Sequence, residues 1–233
     1  MALGTVQLIP TILDENGRET IPPYITGAVK QCQVFFVENE RTARRFLKSL
    51  WKEMVIDDYQ WFTIHKAEQE VVQEFTAKLK QGLHIGIISE AGCPGVADPG
   101  QVLVAAAQKA GAVVKPLVGP SSILLALMAS GMNGQQFRFT GYLPIDNALR
   151  VKAIRELEQD SRKNNCTQIF IETPYRNNQL LETLAKTAAD NTSLCVAVDL
   201  TGPGEWIRTR TMAEWKKEIP DIHKRPAIFL LMA

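Results

Sequence analysis

A chain of 233 residues can form one large domain or two small ones, and a hydrophobic content of 45 % allows a full core and excludes bulk disorder. Its 26 Lys and Arg nearly balance its 25 Asp and Glu, for a formal net charge of +1. This balance excludes a general polyanion binder, so any nucleic-acid site has to be a local patch.

The spacing of cysteines and histidines predicts a cytoplasmic protein with reduced thiols and no bound metal. The four cysteines lie far apart without a CxxC pair, and the three histidines lack the spacing of metal ligands. No basic segment followed by a long apolar run opens the chain, and no apolar stretch approaches the ~18 residues of a membrane span. We therefore expect neither a signal peptide nor a membrane segment.

The first half of the chain alternates strands with helices. Short apolar runs between breakers predict strands, and apolar residues at three- and four-residue spacing predict helices. In chain order we predict a strand at Val6–Ile9, a mobile loop at Asp14–Pro23, a strand at Val34–Val37, a helix at Thr42–Trp51, a helix from Glu68 to the cap Gly82, a strand at His84–Ile88, a helix at Gln101–Ala110 and a strand at Val113–Val118. The order predicts a mainly parallel open sheet. The aromatic residues from the end of the first predicted helix to the start of the second are predicted to be core rather than a base-stacking platform: Trp51, Tyr59, Trp61 and Phe62.

The second half has more strands than helices, which predicts a mixed or antiparallel sheet. The predicted helices are Ser121–Ser130, Asn147–Arg162 and Asn178–Ala189, and the predicted strands are Phe137–Gly141, Gln168–Glu172, Leu194–Val198, Ile207–Thr211 and Ile228–Met232. We therefore expect two α/β domains, 1–118 and 119–233, the first with a mostly parallel sheet and the second with a mixed one.

The densest loop of the chain, Ser89–Gly100 (SEAGCPGVADPG), follows a predicted strand and precedes a helix. In an open α/β sheet ligands bind at the carboxyl ends of strands, and glycines let a ligand approach the backbone closely. The alternative is a tight connection rich in breakers, but such loops are usually shorter. The pattern is neither GxGxxG nor GxxxxGK[ST], which excludes Rossmann and P-loop nucleotide sites.

Three further segments follow predicted strands. Gly119-Pro120-Ser121-Ser122 precedes an apolar helix, where a serine is either a plain N-cap or one of several polar groups that hold a ligand. Glu172–Arg176 is either a surface ion pair or part of a site. Glu38–Arg41 leads into a helix whose cations recur at helical spacing, which is either a solvated face or a phosphate-contacting stripe: Arg41, Arg44, Arg45 and Lys48.

Together these segments resemble the tetrapyrrole methylase superfamily, and within it the RsmI-like branch. The SDAGxPxxxDPG loop of that branch corresponds to Ser89–Gly100, its GPS to Gly119–Ser121, its GFLP to Gly141–Pro144, its E[ST]xHR to Glu172–Arg176 and its EDTRxTRxLL to Glu38–Leu47. The motifs keep their order over nearly the whole chain.

The chain departs from the branch at four places. Pro10–Asp14 lacks the PIGN-type turn, Glu90 and Asn39 stand where the branch has Asp, and Gly202 stands where it has Lys. Longer members carry a small extra C-terminal domain, whereas this chain ends at Ala233 directly after its last predicted strand. We therefore expect the short form of the family.

The resemblance implies a cofactor cleft between the two domains and a cytoplasmic homodimer that binds S-adenosylmethionine (SAM) and releases S-adenosylhomocysteine. It implies methylation of a cytidine ribose 2′-hydroxyl in small-subunit ribosomal RNA, with the 30S subunit as partner. Carried over residue by residue, the cofactor would contact Pro10, Ser89, Glu90, Ala91, Gly92, Cys93, Pro94, Asp98, Pro120, Ser121 and Ser122.

The roles of acid, base and phosphate contact stay open among several residues. Because a ribose hydroxyl is a weak nucleophile, a general base would help, and the candidates are Glu38, His65 and Glu172. The candidates for contacts to the acceptor's phosphates are Arg41, Arg44 and Arg176. Two other functions remain: methylation of a tetrapyrrole carbon, which the same arginines could serve, and a SAM-binding regulatory module without turnover.

Overall fold

The computed structural model describes residues 2–64, 68–98 and 100–233, without the side chains of residues 68 and 69. The chain divides into two compact units, the first up to Ser121 and the second from Ser122 onward. The boundary expected from the sequence lies between 118 and 119. Each unit is built on a five-stranded sheet. The predicted fold class, two α/β sheets of which the first is parallel and the second mixed, is confirmed.

The sheet of the first unit is parallel throughout, with the strand order β3-β2-β4-β1-β5. Its strands are β1 (Thr5–Ile9), β2 (Val34–Val37), β3 (Gln60–Thr63), β4 (Ile85–Ile88) and β5 (Val113–Pro116). Its helices are α1 (Tyr24–Gln31), α2 (Glu40–Leu50), α3 (Glu68–Lys80) and α4 (Gln101–Ala110). Strands β2 and β4 are buried along their whole length, because helices cover both faces of the sheet.

The direction of the crossover connections places the helices on both faces. The chain leaves β1 for β2 in one direction across the sheet and leaves β4 for β5 in the other direction. Right-handed crossovers then put α1 and α4 on opposite faces. Accordingly, Val29 of α1 and Leu47 of α2 share one core cluster, while Leu79 of α3 and Leu103 of α4 share another. Where neighbouring strands connect in opposite directions, as β1 and β4 do, a crevice opens at their carboxyl ends.

Two elements of the first unit are not predicted from the sequence. Helix α1 begins right after Pro22-Pro23, and Ile21 at the end of the supposed mobile loop is buried in the core. A short 3₁₀ helix, Arg18–Thr20, lies within that loop. Proline at a helix start is tolerated because its missing N–H has no partner there anyway. The predicted loop does end at Pro23, but the helix that begins at the next residue, Tyr24, is not predicted.

Strand β3 is the second unpredicted element. It contains Trp61 and Phe62, whose side chains alternate between the two faces of the sheet, as successive residues of a strand do. Trp61 stacks on Phe35 and Phe62 stacks on Phe36, each with 4.9 Å between ring centroids. The prediction that this aromatic cluster belongs to the core is confirmed.

The second unit carries a mixed sheet of strand order β6-β7-β10-β8-β9, in which only β6 and β7 run parallel. Its strands are β6 (Phe137–Tyr142), β7 (Thr167–Ile171), β8 (Ser193–Val198), β9 (Trp206–Thr211) and β10 (Ala227–Met232). Its helices are α5 (Ser122–Ser130), α6 (Asn147–Asn164), α7 (Asn177–Thr187) and the short α8 (Met212–Trp215). The unpredicted α8 begins with a capping box between Thr211 and Glu214, a signal that the sequence does contain.

Among the residues that the structure describes (2–64, 68–98 and 100–233), no helix is both long enough and apolar enough to cross a bilayer.

The central strand β4 requires a glycine, which gives a test of the sheet packing. A Cβ on Gly86 would lie 2.6 Å from Cδ1 of Phe35, directly opposite it on β2. We expect Gly86→Ala to lower the free energy of unfolding by about 1–3 kcal/mol, as overpacking of a core does. A Cβ added to Gly27, in the interior of α1, would have no atom within 4 Å. Gly27→Ala should therefore raise the free energy of unfolding by about 0.5–1 kcal/mol. Denaturant unfolding of both variants measures the two effects. Equal destabilisation by the two substitutions would contradict the close packing of Gly86 against Phe35.

Candidate functional site

Three loops meet at the carboxyl edge of the first sheet. They follow β1, β4 and β5, which are neighbours in the strand order. The N–H of Thr11, after β1, donates to the carbonyl of Gly92, after β4, at 2.9 Å. The thiol of Cys93 donates to the carbonyl of Pro120, after β5, at 3.5 Å. Two of the strand-end segments found in the sequence, Ser89–Gly100 and Gly119–Ser122, therefore meet each other and the loop after β1, because parallel strands end at the same edge of a sheet.

Two glycines allow these loops to approach each other so closely. A Cβ on Gly119 would lie 2.1 Å from Cβ of Pro10, which no side chain can tolerate. Gly92 has a φ of +74°, and a Cβ there would lie 3.2 Å from Leu13 and 3.3 Å from the carbonyl oxygen of Pro120. The loop after β4 thus lies against the other two loops with its backbone, not with a side chain.

Asp98 shapes this loop from inside. Its Oδ1 accepts hydrogen bonds from the N–H groups of Gly95 and Gly100, both at 2.9 Å. The other oxygen, Oδ2, is buried and has no hydrogen-bond partner among the described residues. Asp98 is among the residues predicted to bind cofactor, and the structure gives it a clear role in folding the loop.

Glu38 brings a carboxylate from the end of β2 to the loop after β4. Its Oε2 accepts a hydrogen bond from the N–H of Glu90 at 2.9 Å. Burial raises the pKa of Glu38, the hydrogen bond from Glu90 lowers it, and the nearby charges of Glu90 and Asp98 raise it further. Of the two candidates for a general base that the structure describes, Glu38 is therefore the one placed beside the loop with a carboxyl that holds its proton more tightly than usual.

A cavity of about 420 Å³ opens next to this loop, within the usual size range of small-molecule sites. It is bounded by the loop after β1, by one side of α2 and by the first residues after β4. Its lining mixes apolar and charged groups: Thr11, Ile12, Leu13, Asp14, Glu15, Arg18, Thr42, Ala43, Arg45, Phe46, Ser49, Ser89, Glu90 and Ala91. Thr11, Thr42 and Ser49 are hydroxyl groups at this cavity that the sequence analysis does not single out. Only the position of Thr11, directly after a buried strand, could have suggested it.

The cations of α2 do not form one uncommitted stripe. Arg44 pairs with Glu40 at 2.7 Å and lies over the ring of Trp61, 5.0 Å from its centroid. Arg45 pairs with Glu15 at 2.7 Å at the cavity. Lys48 donates to backbone carbonyls just beyond the end of the helix. Arg41 is exposed at the first turn. Of the predicted phosphate-contacting residues, Arg44 thus also has a packing role.

Glu172 and Arg176 lie in the second unit and are bound to each other. Oε1 of the buried Glu172 accepts from Nη2 of Arg176 at 2.6 Å, from its Nε at 3.0 Å, and from the N–H of Thr173 at 2.7 Å. This hydrogen-bonded pairing raises the pKa of Arg176. Oε2 of Glu172 is buried without a hydrogen-bond partner in the described part of the chain. The pair holds the segment after β7 in shape, and Arg176 keeps only part of its guanidinium for other contacts.

The remaining predicted residues are placed as follows. Pro10, Ser89, Pro94 and Pro120 are buried at the meeting point of the loops, while Glu90 and Ala91 are exposed. Ser121 ends the first unit and Ser122 begins α5. His65 lies outside the described residues. Among those that are described, no group of three or more His, Cys, Asp and Glu is arranged to hold a metal ion.

Comparison with known proteins places the chain in a family. The family model for the tetrapyrrole (corrin/porphyrin) methylases matches residues 21–216, well over half of the chain. The chain belongs to this family. The resemblance found in its motifs is thereby confirmed.

Among its relatives are proteins named ribosomal RNA small subunit methyltransferase I. That of Vibrio cholerae serotype O1 is 34 % identical over 175 residues, which cover 73 % of this chain and 59 % of the relative. That of Micromonospora olivasterospora is 32 % identical over 187 residues, covering 80 % and 56 %. The chain therefore spans less than two thirds of the length of these relatives.

Solved structures share the fold at low sequence identity. A diphthine synthase matches with a TM-score of 0.69 at 12 % identity, covering 98 % of this chain and 89 % of the other. The methyltransferase CobJ matches with a TM-score of 0.64 at 17 % identity, covering 100 % and 94 %. This likeness concerns the fold.

The raised pKa of Glu38 predicts a pH-dependent effect on stability. A carboxyl whose pKa is raised on folding lowers the stability of the folded state when it is ionised. This cost disappears when the pH falls below the pKa that the same carboxyl has in the unfolded chain. Glu38→Gln removes the charge and keeps an oxygen that can accept from Glu90. We expect this variant to melt at a higher temperature than the parent at pH 8, with a difference that shrinks towards pH 4. The exposed Glu53 serves as control, since Glu53→Gln should show no such trend. A difference in melting temperature that stays constant from pH 4 to pH 8 would contradict a raised pKa of Glu38.

Proposed function

We propose that the chain is a SAM-dependent methyltransferase that methylates a cytidine ribose 2′-hydroxyl in small-subunit ribosomal RNA. The observation that carries the proposal is the meeting of the three strand-end loops around Gly92, in a chain related to proteins named ribosomal RNA small subunit methyltransferase I. The membership in the methylase family supports the reaction class. The five RsmI-like motifs support the choice of nucleotide and hydroxyl.

The residues at the loop junction fit SAM in two respects. Gly92 lies so close to Leu13 and Pro120 that the loop packs there with its backbone and without a side chain, which suits a cofactor held by backbone groups. The carboxylates of Glu38 and Glu90 would favour a cationic sulfonium nearby. The proposed contacts are those of the loop Ser89–Pro94 together with Pro10, Pro120, Ser121 and Ser122, and Asp98 supports the loop from within.

When bound, SAM supplies an electrophilic methyl group. The acceptor oxygen forms a bond to that methyl carbon while the carbon–sulfur bond breaks, and the hydroxyl proton leaves. The protein contributes mainly alignment, because in-line displacement needs little covalent help. Glu38 is the base that we favour to take the proton, since its partly buried carboxyl has a raised pKa and lies beside the loop. The proposed place of the acceptor ribose is beside Glu38, next to the cavity that Glu90 lines between α2 and the loops after β1 and β4.

We further propose that the acceptor is presented by the 30S subunit and that the protein acts as a homodimer. The near-neutral charge of the chain gives little long-range attraction to naked RNA, so a pre-folded target supports recognition by a local surface. The exposed apolar side chains of Leu124 and Met128 on α5, 52 % and 80 % accessible, support a subunit interface. Light scattering coupled to size exclusion measures the subunit number.

Methyl transfer to defined acceptors tests the reaction. With labelled SAM, we expect transfer to 30S subunits from a strain that lacks this gene, and little transfer to 30S subunits that are already modified. Digestion to nucleosides should place the label on 2′-O-methylcytidine. Transfer to uroporphyrinogen instead would establish the tetrapyrrole function, and SAM binding without transfer to either acceptor would establish a regulatory module.

Two glycines of the same loop separate the effect of space from that of backbone strain. Gly92 and Gly95 both have a positive φ, but a Cβ on Gly95 would have no atom within 4 Å. Both Gly92→Val and Gly95→Val carry the strain of a branched side chain at this φ. Only Gly92→Val also pushes against Leu13 and the carbonyl of Pro120 where the loops meet, so we expect it to abolish SAM binding in calorimetry. Gly95→Val should retain binding within about tenfold, a loss of ~1.4 kcal/mol. If both variants bind alike, the close approach at Gly92 is not needed.

A further inference from the structure

One edge of the second sheet gathers loops from four strands. Because β6 and β7 run parallel and β10 runs antiparallel to β7 and β8, the ends of β6, β7 and β8 lie at the same edge as the start of β10. The loops there contain Tyr142, the segment Glu172–Arg176, Asp199 and the segment His223–Arg225.

Two tyrosines at this edge point away from the core. Tyr142 is 60 % exposed and Tyr175 is 70 % exposed. Tyr142 follows Gly141, whose φ of +70° accompanies a shift of register between β6 and β7. Such a bulge redirects the next side chain. Tyr142 lies opposite Ile171, one residue before the segment that carries Tyr175.

Tyr175 is held in place by its surroundings rather than by burial. It lies in the short 3₁₀ helix Pro174–Arg176, which the Glu172–Arg176 pair fixes on one side. On the other side the N–H of Lys224 donates to the carbonyl of Pro174 at 3.0 Å. Arg225 is itself bound to Asp199. The backbone that presents the ring is therefore fixed, so that binding through the ring costs little conformational entropy.

Polar and cationic groups adjoin the ring of Tyr175. Nζ of Lys224 lies 5.8 Å from the ring centroid, and the ring of His223 meets it edge-on with 6.1 Å between centroids. An exposed aromatic ring beside a lysine ammonium is the combination with which proteins hold an unpaired base and its phosphate. A purely apolar partner would not call for the ammonium next to the ring.

We propose that this edge, the tyrosine edge (Tyr142, Tyr175, His223 and Lys224), binds single-stranded RNA. Tyr175 and Tyr142 stack on unpaired bases, and Lys224 contacts a phosphate. The inference rests on the proposed function, in which the acceptor is RNA. It adds that the second unit binds those nucleotides of the acceptor that are not in a duplex.

Binding of a labelled single-stranded RNA of about 12 nucleotides, in the size range of single-strand sites, tests the proposal by fluorescence anisotropy. We expect Tyr175→Ala to weaken binding about 5- to 100-fold, as loss of one stacked base does, and Tyr175→Phe to bind like the parent because the ring remains. Tyr142→Ala should weaken binding in the same way. A duplex of the same length should bind less well than the single strand.

Two matched controls lie at the opposite edge of the same sheet. Phe137, the first residue of β6, is an aromatic residue with 42 % exposure, and Lys163 is an exposed lysine near the end of α6. Phe137→Ala and Lys163→Gln should leave RNA affinity unchanged. Lys224→Gln should lower the slope of log affinity against log salt by about 0.7, the loss of one phosphate contact to a single strand. Circular dichroism confirms that each variant is folded.

The outcomes separate this proposal from the proposed function. If Tyr175→Ala binds RNA like the parent, or if the controls weaken binding as much, the tyrosine edge does not bind RNA, whatever the methyl-transfer assay shows. A change in subunit number in the tyrosine variants, with RNA affinity unchanged, would make the edge a contact between copies and overturn the proposal. If the tyrosines govern RNA binding but the parent transfers no methyl group to 30S subunits, the tyrosine edge stands and the proposed function fails.

Discussion

The first unit depends on the close approach of three loops at the carboxyl edge of its sheet. Gly119 must lack a side chain because Pro10 occupies that space, and Gly92 must adopt a left-handed conformation between Leu13 and Pro120. The hydrogen bond from Thr11 to Gly92 then joins the loop after β1 to the loop after β4. With these contacts in place, the three loops pack at the junction through their backbones, and no side chain at Gly92 or Gly119 separates them.

The strand order brings the acidic groups to the same place. Strand β4 lies between β2 and β1, so that Glu38 at the end of β2 reaches the loop after β4 although 52 residues separate it from Glu90. The crossover directions also leave the space beside α2 in which the cavity lies. A partly buried carboxylate, a junction of backbone groups and a cavity are thus consequences of one topology.

The second unit shows that a motif can be part of the scaffold as well as of a site. In the segment Glu172–Arg176, the carboxylate and the guanidinium bind each other, and Glu172 is buried. Removing Arg176 would leave the buried carboxylate of Glu172 without its cation, which is unfavourable. Of the three residues between Glu172 and Arg176, Tyr175 is the one whose side chain is exposed to solvent. The pair therefore fixes the backbone that carries the ring of Tyr175, a residue to which the motif assigns no role.

The sequence by itself determined the fold class and most of the strands and helices, because buried strands and amphipathic helices leave periodic patterns of apolar residues. It also determined the strand-end loops, since their glycines and prolines are needed locally. It did not determine α1, whose start is hidden by Pro22-Pro23, or β3, whose aromatic residues serve two faces at once.

Only the tertiary structure decided which of these segments meet. The contact of Glu38 with Glu90, the packing of Pro10 on Gly119, and the partners of Arg44 and Arg45 join residues from different elements. Strand order and crossover direction fix such contacts. Both depend on how whole elements pack, and local residue patterns do not encode them.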